Sequence, residues 1–176
     1  MTLLPVTLLP MTLLLEKIGR IWRANPPELR WLSPRDAASC ARLHALSFLH
    51  GWQASDFEHY AKDPACCALG AFVGTRTLVG ALIARQSGPE AEILTVMVAP
   101  GWRGQKLGRN LVERSLAELA AKGAVHVFLE VEHDNAAACA LYRRLAFHEV
   151  GRRKAYYAQT DGSKAEAIIM RRDLLH

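Results

Sequence analysis

Several features that would assign a chain quickly are scarce or missing from this one. Of its 176 residues only four are cysteine, Cys40, Cys66, Cys67 and Cys139, and no two stand as Cys-x-x-Cys. That excludes a disulfide scaffold and a zinc ribbon, and leaves buried free thiols as the expectation. Aromatic residues make up 7%, with no aromatic-basic RNA signature, so the composition holds no direct nucleic-acid reader. No apolar run reaches the roughly 20 residues that cross a bilayer. Acidic residues are the minority charge, 17 against 22 Lys and Arg, a net +5 that asks for an acidic ligand. The seven histidines have no ligand spacing; His126, His133 and His148 read as core or surface residues, and no metal is expected.

What is present suits one folded unit. Hydrophobic residues make up 51% of the chain, enough for a single core without a staple, and the length leaves no room for two catalytic domains. Residues 1–15 repeat Thr-Leu-Leu at period five, broken by Pro5 and Pro10. No basic residue precedes the run and no small-x-small site follows it, so it does not read as a signal peptide. Residues 1–28 are expected to be a poorly ordered leader, with Met11 as a second candidate start. A surface anchor carrying Lys17, Arg20 and Arg23 is the alternative. Asn25-Pro26-Pro27 marks the boundary, and the domain runs over residues 29–176.

Within the domain the periodicity alternates between two and 3.6. A short strand at 29–32 precedes a helix capped by Ser33, with Pro34 at its first position, running to about residue 49. Its apolar set is Ala37, Cys40, Ala41, Leu43, Ala45, Leu46 and Phe48, leaving Arg35, Asp36 and Arg42 on the other side. A second helix covers 54–62 and stops at Asp63-Pro64. Strands at 66–73, 77–85 and 92–98, separated by glycine turns, predict an antiparallel meander. After Pro100-Gly101, Leu107, Leu111, Val112, Leu116 and Leu119 form a helical stripe that Gly123 ends. A strand at 125–131, a helix at 136–145 capped by Asp134 or Asn135, and strands at 147–150 and 165–171 complete the order. The class is α/β, with a mixed, mostly antiparallel sheet of about seven strands and four helices.

Two segments carry chemistry. Arg103-Gly104-Gln105-Lys106-Leu107-Gly108-Arg109 sits between a strand and an amphipathic helix. A helix N-terminus exposes unpaired N–H groups and a partial positive charge, which suits pyrophosphate. Gly104 and Gly108 allow close approach, while Arg103, Lys106 and Arg109 add charge. The loop is neither a Walker loop nor Gly-x-Gly-x-x-Gly. Read alone, it is equally an ordinary connector. The second segment, residues 129–142, puts Glu130 near the end of a central strand, Asn135 at the next helix start, and Tyr142 two turns along that helix. A strand-end carboxylate and a nearby phenol form a base and acid pair, or equally a solvated carboxylate and a core tyrosine.

Taken together, these segments resemble the GCN5-related N-acetyltransferase (GNAT) superfamily, and more narrowly its bacterial ribosomal-protein alanine N-acetyltransferases. The resemblance covers about residues 29–174. It rests on Leu129-Glu130-Val131, Asn135-Ala136-Ala137-Ala138 and Ala140-Leu141-Tyr142, and on Tyr156-Tyr157, Thr160-Asp161-Gly162 and Ala167-Ile168-Ile169-Met170. It implies acetyl-CoA lying along the fourth strand, with main-chain contacts from Val96, Met97 and Val98. Residues Arg103, Gly104, Gln105, Lys106, Leu107, Gly108 and Arg109 would cradle the pyrophosphate, with Asn135 a further contact. Glu130 carries over as general base and Tyr142 as general acid. The implied acceptor is the N-terminal alanine of a small-subunit ribosomal protein, and the implied setting is a cytoplasmic monomer or weak dimer.

At two positions the sequence departs from the family pattern. Lys106 stands where the phosphate loop normally has the first of its two glycines, so a side chain there either crowds the cofactor or contributes an ammonium to it. Ala146 replaces the glycine before the phenylalanine that follows Tyr142; if φ is positive there, alanine costs about 1 kcal/mol or more. Two alternatives stay open: another amine acceptor, such as a lysine side chain or small molecule, or an acyl-CoA-binding module without turnover. The net charge then finds a local address at Arg103, Lys106 and Arg109, beside the cofactor rather than the basic acceptor.

Overall fold

A computed structural model describes residues 26–48, 51–158 and 164–174, with side chains left aside at 154–158 and 164–165. Residues 1–25 of the leader and the 159–163 segment, including Thr160-Asp161-Gly162, lie outside the described residues, as do the side chains of Tyr156 and Tyr157.

The chain runs β1 (Glu28–Trp31), α1 (Ala37–Ala45), α2 (Ala54–Lys62), β2 (Cys66–Val73), β3 (Thr77–Ser87), β4 (Glu90–Val98), α3 (Leu107–Ala121), β5 (His126–Glu132), α4 (Ala136–Arg144), β6 (His148–Ala158) and β7 (Lys164–Asp173). Short 3-10 turns cover Pro34–Asp36 and Pro100–Trp102. One seven-stranded sheet has the order β1-β2-β3-β4-β5-β7-β6. Every pairing is antiparallel except β4 with β5, which α3 joins by a crossover.

Both faces of the sheet are covered. Helices α3 and α4 press Leu107, Leu111, Leu116, Leu119, Cys139 and Tyr142 against one face. Helices α1 and α2 cover the other with Cys40, Leu43 and Phe57. This explains the near-continuous apolar run of β2, where Cys66 and Cys67 point to opposite faces and are both buried. At Gly80 on β3 a Cβ would come within 3.1–3.2 Å of Leu111 and Leu107, so glycine lets α3 lie close to the sheet.

Three local expectations change. The first helix breaks into a 3-10 turn and α1, which ends at Ala45, four residues early; position 49 lies outside the described residues. Leu46 and Phe48 consequently leave the core face and are 64% and 41% exposed. The chain turns because buried His44 accepts the Trp52 N–H on Nδ1 at 3.2 Å and stacks on Phe48 and Trp52. Burial lowers the His44 pKa, favouring the neutral ring this bond needs. Asp36, read as part of a solvated face, instead accepts two bonds from Arg30 (3.0 and 2.9 Å) and two from Ser33 (both 2.8 Å). Finally, the strand expected at 147–150 is the much longer β6, because β7 pairs with it along its length.

Candidate active site

The fourth strand shows why the sheet opens. Strict alternation in Glu90-Ala91-Glu92-Ile93 sends Ala91 and Ile93 to the α3/α4 side. A bulge then leaves Leu94 without a partner, since Ile93 pairs with Ala84 while Thr95 pairs with the adjacent Ile83. One extra residue inverts every later side chain. Met97 accordingly packs on the α1/α2 side, and Val96 and Val98 against the α3/α4 core.

On its other edge β4 pairs with β5 only over Glu90–Ile93 and His126–Leu129. Beyond that point β4 stays with β3 as far as Val98, and β5 stays with β7 as far as Glu132, so the two halves of the sheet part. Ala99 N–H donates to the Val79 carbonyl at 2.9 Å. In an antiparallel ladder such bonds recur at every second residue. Met97 therefore turns its main-chain groups toward β3, while Val96 and Val98 turn theirs into the opening.

The glycine-containing loop stands at the end of this opening. The N–H groups of residues 104–109 donate to no protein acceptor among the described residues; the first helical bond of α3 runs from Asn110 N–H to the Lys106 carbonyl. Six successive free donors at a helix N-terminus are the kind of main-chain arrangement to which an anion can bind. Leu107 anchors the loop in the core, residues 103–106 and Arg109 are exposed, and Gly108 is half-buried. Lys106 adopts φ 64° and ψ 3°, the left-handed conformation glycine takes most easily, so the main chain bends there as a glycine would. Gly104 is likewise left-handed, with open space where a Cβ would stand.

The basic side chains of the loop divide their work. Arg103 donates through Nε to the Val98 carbonyl (3.1 Å) and through Nη2 to Ser47 Oγ (3.3 Å), tying the loop to β4 and to the chain after α1. Gln105 donates to the Gly101 carbonyl at 3.1 Å, and Arg109 pairs with Glu113 at 2.9 Å. Gly108 lies near Val98 and Leu141, so the loop, the end of β4 and α4 meet.

Glu130 is the first β5 residue beyond the shared ladder with β4. Its neighbours Leu129 and Val131 face the α3/α4 core, so its carboxylate faces the α1/α2 side. There Arg153 of β6 pairs with it at 3.2 Å, the carboxylate 37% and the guanidinium 69% exposed. Tyr142 lies on the opposite side of the sheet, 8% exposed, its ring edge-on to Phe147. Burial pushes its pKa up to about 12, keeping the phenol protonated. The two sequence-predicted residues thus stand on opposite faces of the sheet, Glu130 at the opening and Tyr142 in the α3/α4 core. Asn135 begins α4, its side-chain oxygen accepting the Ala138 N–H at 3.1 Å.

Sequence reasoning missed Arg153, because β6 was expected to end at residue 150, and it missed Ser47 and Thr95. Adjacent apolar Ile93-Leu94 after a strict alternation was the one visible sign of the bulge.

A mixed seven-stranded sheet that parts beside a helix start with free N–H groups defines the α/β fold of this chain. Its main chain resembles that of the ribosomal-protein-S18-alanine N-acetyltransferase from Escherichia coli, with a TM-score of 0.75 at 28% identity over 82% of this chain and 92% of that one. An Arabidopsis thaliana NAA60 structure in complex with acetyl-CoA shares the fold, with a TM-score of 0.75 at 18% identity over 84% and 98% of the two chains. The N-alpha-acetyltransferase RimI of Mycobacterium tuberculosis is 38% identical over 155 residues, which cover 85% of this chain and 94% of that protein. The [Ribosomal protein bS18]-alanine N-acetyltransferase of Escherichia coli (strain K12) is 44% identical over 81 residues, 46% of this chain and 54% of that one. The match thus spans about half the length of that relative, and 41% of an uncharacterized Mycobacterium leprae protein that is 35% identical. Residues 37–147 match the acetyltransferase (GNAT) family, and the chain belongs to it.

Proposed function

We propose that this protein transfers an acetyl group from acetyl-CoA to the N-terminal α-amine of a protein, with the N-terminal alanine of a small-subunit ribosomal protein as acceptor. The observation that carries the reading is the row of free N–H donors at residues 104–109, placed where β4 and β5 part. A pyrophosphate suits those donors, and Lys106 and Arg109 add positive charge beside them. The outward main-chain groups of Val96 suit an amide of a pantetheine arm laid along β4, with Met97 anchoring the strand through its buried side chain and the Val98 carbonyl held by Arg103. Asn135 keeps its amide N–H donors available for a further contact, since only its oxygen caps α4.

Bound there, acetyl-CoA supplies the activated thioester. The protein's residues do the rest. An α-amine has a pKa near 7.7–8, so at neutral pH it must lose one proton before it can attack. Glu130 stands at the opening to accept that proton. Its ion pair with exposed Arg153 is solvent-screened and easily exchanged for the incoming ammonium. The Val98 N–H, turned into the opening, faces the oxygen on which negative charge builds. From the opposite face Tyr142, protonated through the whole physiological range, donates its hydrogen bond to the departing sulfur.

Free CoA release measured over a panel of acceptors tests the reading. A peptide with a free N-terminal alanine should turn over, while its N-blocked form, lysine peptides and polyamines should not. Turnover on lysine or polyamine alone would move the acceptor to that class. Tight acetyl-CoA binding without CoA release on any amine would make the protein a binding module.

A further inference from the structure

Thr95 is the unexplained polar group of the opening. It is 6% exposed, and its hydroxyl has no hydrogen-bond partner. Its neighbours do not provide one: Ile83, its partner on β3, and Met97, two residues on, are both apolar members of the α1/α2-side core. A hydroxyl buried this way weakens the folded state relative to a methyl of the same shape, so packing alone gives no reason for threonine over valine. Its place supplies one. Thr95 follows the bulged Leu94, just past the last β4–β5 pair at Ile93 and Leu129. Paired residues of antiparallel strands point to the same face, so Thr95 shares the face of Ile83. That is also the face of Glu130, the first β5 residue past the same pair. The only buried hydroxyl left unpartnered among the described residues therefore stands across the opening from the carboxylate.

We propose that Thr95 is a further catalytic residue: its hydroxyl holds the acceptor nitrogen while Glu130 removes the proton. This rests on the acetyl-transfer reading above. One proton passes from the ammonium to the Glu130 carboxylate, the freed lone pair forms the C–N bond as the C–S bond breaks, and the acylated nitrogen releases its second proton to solvent to leave the neutral amide. The sulfur keeps the bonding pair and accepts the Tyr142 hydrogen bond. Thr95 accepts an N–H from the acceptor and undergoes no net proton change, fixing the direction of the lone pair. The bulge is what brings it there, since without the extra residue position 95 would face the α3/α4 side.

The test compares Thr95→Val and Thr95→Ser with the wild-type protein, using an N-terminal alanine peptide, calorimetry with acetyl-CoA and thermal melts. Thr95→Val should lose about 10- to 100-fold in kcat/KM for the peptide, the scale of one hydrogen bond to a charged group. It should bind acetyl-CoA within twofold of wild type and melt about 2–6 °C higher, because an unpartnered hydroxyl has been removed. Thr95→Ser should recover kcat/KM to within about threefold. A purely structural threonine behaves the other way, with a lower melting point for Thr95→Val. That result, or Thr95→Val activity within threefold of wild type, overturns the proposal while leaving acetyl transfer intact. A wild-type protein inactive on every amine overturns both.

Discussion

Ala146→Gly should stabilise this protein, against the usual effect of putting glycine into a folded chain. Ala146 follows α4 with φ 60°, a left-handed conformation that costs an L-residue about 1–2 kcal/mol. The reason it is held there is visible in the hydrogen bonds. Phe147 N–H donates to the Tyr142 carbonyl at 3.0 Å and Ala146 N–H to that of Arg143 at 3.1 Å, the paired bonds of a Schellman cap. The hydrophobic contact that accompanies such a cap is the Tyr142–Phe147 pair, ring centroids 5.8 Å apart. Ala146 is exposed, so glycine gives up no packing. Against the relief of strain stands the greater freedom of glycine in the unfolded chain, about 0.4–1 kcal/mol. The balance is a gain of about 0.5–1 kcal/mol, or about 1–4 °C in Tm for a domain of this size. Urea melts with an unchanged slope and a raised midpoint would measure it. Ala38→Gly, at an exposed position with ordinary helical φ in α1, is the control and should lose about 0.5–1 kcal/mol. If Ala146→Gly loses stability as the control does, the conformational argument is refuted.

Lys106→Gly should gain about 0.5–1 kcal/mol in melts for the same reason, yet bind acetyl-CoA about three- to tenfold more weakly by calorimetry as the ammonium is lost. Wild-type protein that binds none, with binding restored by glycine, would show that the lysine side chain blocks the loop. The Asp36 pKa is lowered to about 2 by the hydrogen bonds from Arg30 and then Ser33, opposed by burial. A depressed carboxyl stabilises the fold above its unfolded pKa near 4 and loses that contribution as pH falls through 2. Asp36→Asn should therefore cost about 2 kcal/mol in urea melts at pH 7, and a cost that does not shrink toward pH 2 would contradict the pairing. Glu130→Gln and Tyr142→Phe should each lower kcat by about 10²–10⁴, and wild-type kcat in either would remove that residue from the reaction. With the Tyr142 pKa raised to about 12, stability from its buried neutral phenol is full below pH 10 and lost as pH climbs through 12, so kcat should show no alkaline loss from this group below about pH 11.

The meander of β2, β3 and β4 and the stripe of α3 were legible because periods of two and 3.6 mark which side chains meet a core. The stop at Gly123 and the cap at Asn135 were legible because each satisfies main-chain groups locally. The length of β6 was not, since Gly151, Arg152 and Arg153 form a strand only because β7 is available to pair with them. Nor was the end of α1, where a buried histidine ring replaces helical bonds with a contact to Trp52. Leu46 and Phe48 kept helical spacing while the chain had already turned away.

By itself the amino-acid order determined which segments become helix or strand and which glycine-containing turn begins α3. These are properties of residues near one another along the chain, set by sterics and by main-chain bonds a few residues apart. That Lys106 and Ala146 stand at glycine positions of the family pattern came from the resemblance, and the structure adds their positive φ. Only the tertiary structure decided that β4 and β5 share four pairs and then separate, that Glu130 and Tyr142 stand on opposite faces of the sheet, that Arg103 fastens the loop to Val98 and Ser47, and that Thr95 is left without a partner. Those facts depend on strand register and on the bulge at Leu94. A one-residue offset between strands reverses every side chain after it without changing the sequence pattern on either side.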